Sequence, residues 1–331
     1  MQLSRIKYID QLRGLAILLV VIGHLYEHSF GGNSQVIFNL YLPYHMPLFM
    51  FLSGIFALKK RSSFWQYSKH KFMRLIIPFL TVGVICVLSK GLSPFVLFTG
   101  EANEGYWFLP TLFYCSIICY IINNISISIQ KCQQFKIDIL LYLIPYILLC
   151  LMYRFSFFHQ LNSTIGTLYI LYNYPFFVLG IFFGKYERLQ ELLKKESAFC
   201  LSLILYVLYL VYKQDIPCNF KFVGVCGIII LICLFNKYSE YIDRRFSFSY
   251  IGKHTLEIYL FHYFFLPSFP DCFEFFDFAS SSFIPNNGNL VVIIPLLFLL
   301  ALVIIYLCLL CGIIFRYNKL LKKIILGENE K

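Results

Sequence analysis

LVVIIPLLFLLALVIIYLCLLCGIIF, residues Leu290–Phe315, contains no charged side chain. A helix needs about 20 consecutive apolar residues to cross the hydrocarbon core of a bilayer, so this stretch reads as a spanning helix. The rest of the chain is written in the same terms. Of its 331 residues, 59% are hydrophobic and 14% charged, against about 45–50% and about 25% in ordinary globular proteins. A soluble fold of this size would have too little polar surface to meet water. Aromatic residues reach 19%, which suits helices that end at membrane interfaces. The expected fold is all-α: a polytopic membrane bundle of about ten transmembrane helices, forming one domain over residues 1–331.

Working outward from Leu290, the same criterion marks nine further spans: Leu12–His28, Val36–Leu58, Leu75–Leu92, Tyr106–Ile127, Ile137–Tyr153, Ile165–Gly184, Ala198–Tyr212, Phe222–Phe235 and Phe248–Leu266. Pro78, Pro110, Pro145, Pro175 and Pro295 fall within spans, where neighbouring helices can satisfy the backbone groups they free. The first span carries Arg13 and His24, with Asp10 just before it, and passes directly into a second, so it is not expected to be a cleaved signal peptide. Most of the 12 cysteines, among them Cys86, Cys115, Cys119, Cys226 and Cys233, lie in apolar stretches, where Cys behaves as a small hydrophobe. Cys308 and Cys311 have CxxC spacing but no second ligand pair nearby, and no metal site is expected.

The net charge of +11 would point to nucleic acid in a soluble protein. Here its distribution matters more, because membrane proteins concentrate Lys and Arg on their cytoplasmic side. With the N-terminus inside, the cytoplasmic segments hold 23 of the 28 cations: Arg5 and Lys7, six in Lys59–Arg74, Lys131 and Lys136, four in Lys185–Lys195, then Lys237, Arg244, Arg245 and Lys253, and five from Arg316 onward. The opposite side holds four, Lys90, Arg154, Lys213 and Lys221, and Arg13 lies inside the first span. Both termini are therefore expected in the cytoplasm, and no nucleic-acid partner is expected. Glu101, Glu104, Asp271, Glu274 and Asp277 collect on the outer side.

Ionisable groups at membrane depth are the best functional signal. An arginine within a span costs about 2.5–3.5 kcal/mol on insertion scales, so such groups face cavities or partners. Arg13 and His24 are eleven residues apart, about three helical turns, which puts them on one face roughly 16 Å apart. That face could line a pore entered from inside. The other reading pairs Arg13 with Asp10 at i, i+3 and hydrogen-bonds His24 within the bundle. His45 lies near the outer end of the second span, level with His24 if the two helices run antiparallel. His28, one turn beyond His24, reads as interfacial. In the ninth span Glu257 and His262 are both at membrane depth, and Glu257 is the one acidic residue placed well inside a span.

KKRSSFWQYSKHKFMR, residues Lys59–Arg74, interleaves six Lys and Arg with Phe64, Trp65 and Tyr67. Such a segment serves as an anchor on anionic lipid. It can equally receive a phosphate-bearing cofactor, with Lys71 and Arg74 as clamps one turn apart.

Together these stretches resemble acyltransferase family 3, the integral-membrane O-acyltransferases that modify bacterial surface polysaccharides. The resemblance rests on YIDQLRGLAILLVVIGH (Tyr8–His24), HMPLFMFLSGIF (His45–Phe56) and KFMRLIIPF (Lys71–Phe79), followed in order by WFLPTLF (Trp107–Phe113), LGIFFGK (Leu179–Lys185) and IGKHTLEIYLFH (Ile251–His262). Lys71 stands where a second arginine is frequent, and Ile55 where an aromatic is usual. Lysine keeps the charge but loses the bidentate fork.

The resemblance implies transfer of an acyl group, usually acetyl, from cytoplasmic acyl-CoA to a sugar hydroxyl of a surface or lipid-linked glycan, in the cell inner membrane. Larger members append an extracytoplasmic hydrolase-like domain; this chain is expected to act alone or to hand the acyl group to a polysaccharide-assembly partner. On this reading Lys71 and Arg74, with Arg13 at the mouth, bind coenzyme A phosphates. His24 is the general base on the sugar hydroxyl, or accepts the acyl group itself, with Arg13 in the catalytic set. Ser53 donates a hydrogen bond to the thioester oxygen or serves as a packing residue. His45, Trp107, His262 and Glu257 line the sugar-binding half. The competing classes are a transporter or flippase of a glycan or lipid-linked sugar, and a structural subunit of a polysaccharide synthase.

Overall fold

The structure is a computed structural model and describes residues 6–29, 45–58, 63–99, 103, 105–129, 134–155, 166–212, 220–267 and 290–328. Its regular elements there are helices: α1 (Lys7–Ser29), α2 (His45–Ile55), α3 (Phe64–Ser89), α4 (Phe108–Ser128), α5 (Gln134–Met152), α6 (Thr167–Lys185), α7 (Glu196–Tyr212), α8 (Phe220–Arg245), α9 (Phe248–Lys253), α10 (Thr255–Phe261), α11 (Leu290–Tyr317) and α12 (Lys319–Ile325), with a few shorter turns. Helices dominate because backbone amides in hydrocarbon must find partners within their own segment. Among the described residues, seven helices are long and apolar enough to cross a membrane, and α2 and α7 are shorter apolar helices. The protein is a multi-pass, all-α membrane protein.

Three elements differ from the sequence reading in extent. The span expected at Phe222–Phe235 is followed, across a kink at Tyr238 (φ −110°), by further helix to Arg245, because its polar last turns are a partner surface. Lys7 pairs there with Glu240 and Asp243, each at 3.1 Å, and Gln11 is held by Ser239. The basic segment is helical from Phe64 and joins the third span through a π-turn at Phe72–Ile76. The span expected at Phe248–Leu266 is broken at His254 (φ −115°) and tightens into a 3₁₀ turn at His262–Phe265. The expected segment Val36–Tyr44, the cations Lys59, Lys60 and Arg61, and the outer acids Glu101, Glu104, Asp271, Glu274 and Asp277 lie outside the described residues.

The chain divides into two compact units, Met1–Phe49 with Leu192–Ile314, and Met50–Glu191 with Phe315–Lys331. In the first, α1 packs along α9, α8 and α10, and α7 pairs with α8. Apolar lipid gives little hydrophobic drive between helices, so close approach depends on small residues. Gly14 lies against the carbonyl of Phe248 and Gly252 against that of Asp10, and a Cβ at either glycine would strike the opposing backbone. In the second unit α4 packs on α5, α6 and the π-turn of α3. Gly54 and Gly180 make the same kind of crossing there, each against the other helix's backbone. The tail docks beside α3, with Thr81 donating to the carbonyl of Ile324 at 3.0 Å and Gly327 (φ +61°) seated on the backbone of Met73 and Arg74.

Candidate active site

In the first unit the glycine crossing sets the register that builds the site. From Gly14 to His24 is ten residues, and from Gly252 to His262 is also ten. At about 1.5 Å per residue both histidines stand at similar heights above the crossing. The imidazole of His24 stacks on that of His262, with ring centroids 5.3 Å apart. Beside them Tyr263 places its hydroxyl 3.1 Å from His24 Nε2, and His28 brings its ring to 5.7 Å from that of His24. Glu27 approaches His24 Nδ1 at 3.7 Å.

His262 is fully buried. Its Nδ1 lies 2.8 Å from the carbonyl of Tyr259 and 3.1 Å from that of Ile258, so Nδ1 carries the proton as donor and Nε2 presents a lone pair. Nε2 is buried with no hydrogen-bond partner. A buried polar atom of this kind calls for an explanation, such as a catalytic role, a water or an ion. Tyr263 was not singled out in the sequence, although it directly follows the IGKHTLEIYLFH motif.

Arg13 and His24 share α1, both half-buried, and Arg13 reaches Asp10 at 3.7 Å. The local ion pair that the sequence offered as the alternative for Arg13 is thus present. Glu257 is buried and is met by His254 Nδ1 at 2.6 Å across the break between α9 and α10. Gly312 of α11 lies against the Glu257 side chain, leaving no room there for a larger residue. His45 is buried at the first residue of α2.

In the second unit Ser63 opens α3 with a reciprocal capping box to Gln66, which satisfies amides that an uncapped first turn leaves orphaned. The Lys71 ammonium sits over the Tyr67 ring, 5.4 Å from its centroid. Tyr67 in turn stacks on Tyr120 and donates to the carbonyl of Ala57 at 3.1 Å. The π-turn follows, with the amide of Ile77 bonding back to the carbonyl of Phe72. Pro78 next removes the amide that would bond the carbonyl of Arg74. Arg74 is exposed on this wide turn. Local π-geometry of this kind often marks functional segments. Ser53 is half-buried, and its neighbour Gly54 makes the crossing with α6. Trp107 stacks on Tyr169 at 4.4 Å.

Glu257 is not the sole buried acid within a span. Asp138, near the start of α5, has no exposed side-chain surface and accepts from Ser126, Gln134, Lys185 and Tyr186. Asp138 lies one position inside the expected start of its span, Ile137, and was not singled out in the sequence.

The acyltransferase-domain family matches residues 6–310, nearly the whole chain, and the chain belongs to that family. Nodulation protein NolL of Mesorhizobium japonicum is 26% identical over 199 residues, covering 53% of this chain and 47% of that protein. Nodulation protein NolL of Sinorhizobium fredii is 26% identical over 212 residues, covering 58% and 53%. The chain spans about half the length of these curated relatives. No solved structure matches it. Family membership favours the enzyme over the transporter and the structural subunit.

Proposed function

We propose that the protein is an O-acyltransferase of the bacterial inner membrane that moves an acyl group, most simply acetyl, from cytoplasmic acyl-CoA to a sugar hydroxyl of a surface or lipid-linked glycan. The observation that carries this reading is the setting of His24: a half-buried imidazole on the first helix of an acyltransferase domain, with the Tyr263 hydroxyl at 3.1 Å. A neutral imidazole there takes the proton of the sugar hydroxyl as its oxygen attacks the thioester carbonyl. The C–S bond then breaks, and the coenzyme A thiolate receives the proton. Arg13, paired with Asp10 on the same helix, supplies positive charge to the donor. In the second unit Lys71 and Arg74 bind its phosphates, and α12, which carries Lys319, Lys322 and Lys323, packs beside the same helix. Ser53 donates to the thioester oxygen. His45, Trp107, His262 and Glu257 serve the acceptor side, with polysaccharide-assembly proteins as partners.

The test is transfer from labelled acetyl-CoA by purified protein in detergent, where no gradient exists. General-base catalysis is worth about 10²–10⁴-fold, and His24→Ala is expected to lose that much. Full activity in His24→Ala sinks the mechanism. The O-acetyl content of surface glycans from cells with and without the gene, read by proton NMR, identifies the acceptor.

A further inference from the structure

His24-Leu25-Tyr26-Glu27-His28 places two histidines four residues apart on α1 with an acid between them. Residues at i, i+3 and i+4 stand on one helical face, and two histidines at i, i+4 are the spacing by which a helix holds zinc. The side chains here are turned toward one another: one potential ligand atom from each of His24, Glu27 and His28 lies within 4.8 Å of the other two. A bound zinc ion holds nitrogen and carboxylate ligands at about 2.0–2.2 Å, so modest side-chain rotation closes the set. The second observation comes from another part of the unit. His262, stacked on His24, keeps Nδ1 on its own helix's carbonyls and leaves Nε2 buried with no hydrogen-bond partner.

We propose that His24, Glu27 and His28, beside the buried His262, form a zinc site that switches the enzyme off. Two imidazoles and one carboxylate suit Zn²⁺ rather than a hard cation such as Mg²⁺ or Ca²⁺. A metal on His24 occupies the lone pair that a general base needs, and the hydroxyl proton then has no acceptor. The blocking step rests on the reading of His24 as that base; the metal site itself does not. The transfer step proposed above uses neither Glu27 nor His28, so substitutions there read metal binding apart from that step.

The experiment uses the full chain, stripped with EDTA and held in detergent. Co²⁺ reports coordination through its visible absorption, zinc is titrated by equilibrium dialysis, and acetyl transfer is followed with and without micromolar Zn²⁺. One equivalent of zinc and a tetrahedral cobalt band are expected. His28→Ala and Glu27→Gln are expected to weaken binding by at least about tenfold, the scale that loss of even an outer-shell partner reaches. Zinc should abolish transfer by the unsubstituted protein, EDTA should restore it, and His28→Ala should transfer normally in zinc concentrations that stop the parent. Absence of stoichiometric zinc, or equal affinity in the parent and both variants, overturns the site. Zinc bound through these residues with transfer unaffected overturns the switch. A cobalt band in a protein that never transfers acetyl leaves the site standing and overturns the blocking step together with the acetyltransferase reading.

Discussion

The phenolic oxygen of Tyr263 lies 3.1 Å from Nε2 of His24 and 3.4 Å from Nδ1. Tyr263 belongs to the 3₁₀ turn that ends the broken segment, so this turn aims the hydroxyl at the first helix. In the proposed mechanism Tyr263 is a positioning residue, holding the imidazole that is to take the proton. A hydrogen bond of this kind is worth about 1 kcal/mol, which corresponds to roughly fivefold in rate. Tyr263→Phe is expected to lower kcat by that factor, leave KM for the acyl donor in place and alter the pH profile of kcat. An unchanged kcat and profile would remove Tyr263 from this role.

Gly252→Ala is expected to destabilise the first unit. The added methyl meets the backbone of Asp10, which cannot rotate away, and overpacking of this kind costs about 1–3 kcal/mol. Gly83→Ala is the comparison, since the methyl there meets only the side chain of Leu97, which can shift. Thermal unfolding in detergent should separate the two, with Gly252→Ala lower and also less active.

Lys185→Met should be among the most damaging substitutions outside the proposed site. It removes the cation from Asp138, whose carboxylate is wholly buried, and breaking a buried pair from one side costs about 3–5 kcal/mol. Changing both partners, Asp138→Leu with Lys185→Met, removes the stranded charge. The double variant is expected to be more stable than Lys185→Met alone, as measured by the yield and melting of the purified protein.

Lys71→Met and Arg74→Met are each expected to raise KM for acetyl-CoA by about tenfold, the equivalent of about 1.4 kcal/mol for a charge-assisted contact, with kcat little changed. Lys71→Arg should recover most of the loss. Added salt should weaken donor binding in the parent more than in either Met variant, because exposed charges are screened.

The membrane class and the position of most helices were legible in the sequence, because runs of about 20 apolar residues admit few other folds. His24 and Arg13 stood out by the same logic, as ionisable groups where charge is costly. What escaped was what depends on contacts distant in sequence. The last turns of α8 look like a polar loop until Gln11 and Lys7 of α1 are set against Ser239, Glu240 and Asp243. Asp138 looks like the edge of a span until Lys185 and Tyr186 close over it. The meeting of His24 with His262 had one readable signal, the equal ten-residue spacing of each from a glycine, but which glycines cross is fixed by packing alone.

The crossing of Gly14 and Gly252 also constrains how the protein is made. The first helix is synthesised early, whereas Ser239, which holds Gln11, lies 228 residues later, and Gly252 later still. Until those residues arrive, α1 carries Asp10, Gln11 and Arg13 without the neighbours that enclose them, and native closure is a late event of high contact order. Chains interrupted before α8 should therefore leave a first helix that inserts poorly or is removed by quality control, and the His24 site is completed only when nearly the whole chain is in the membrane.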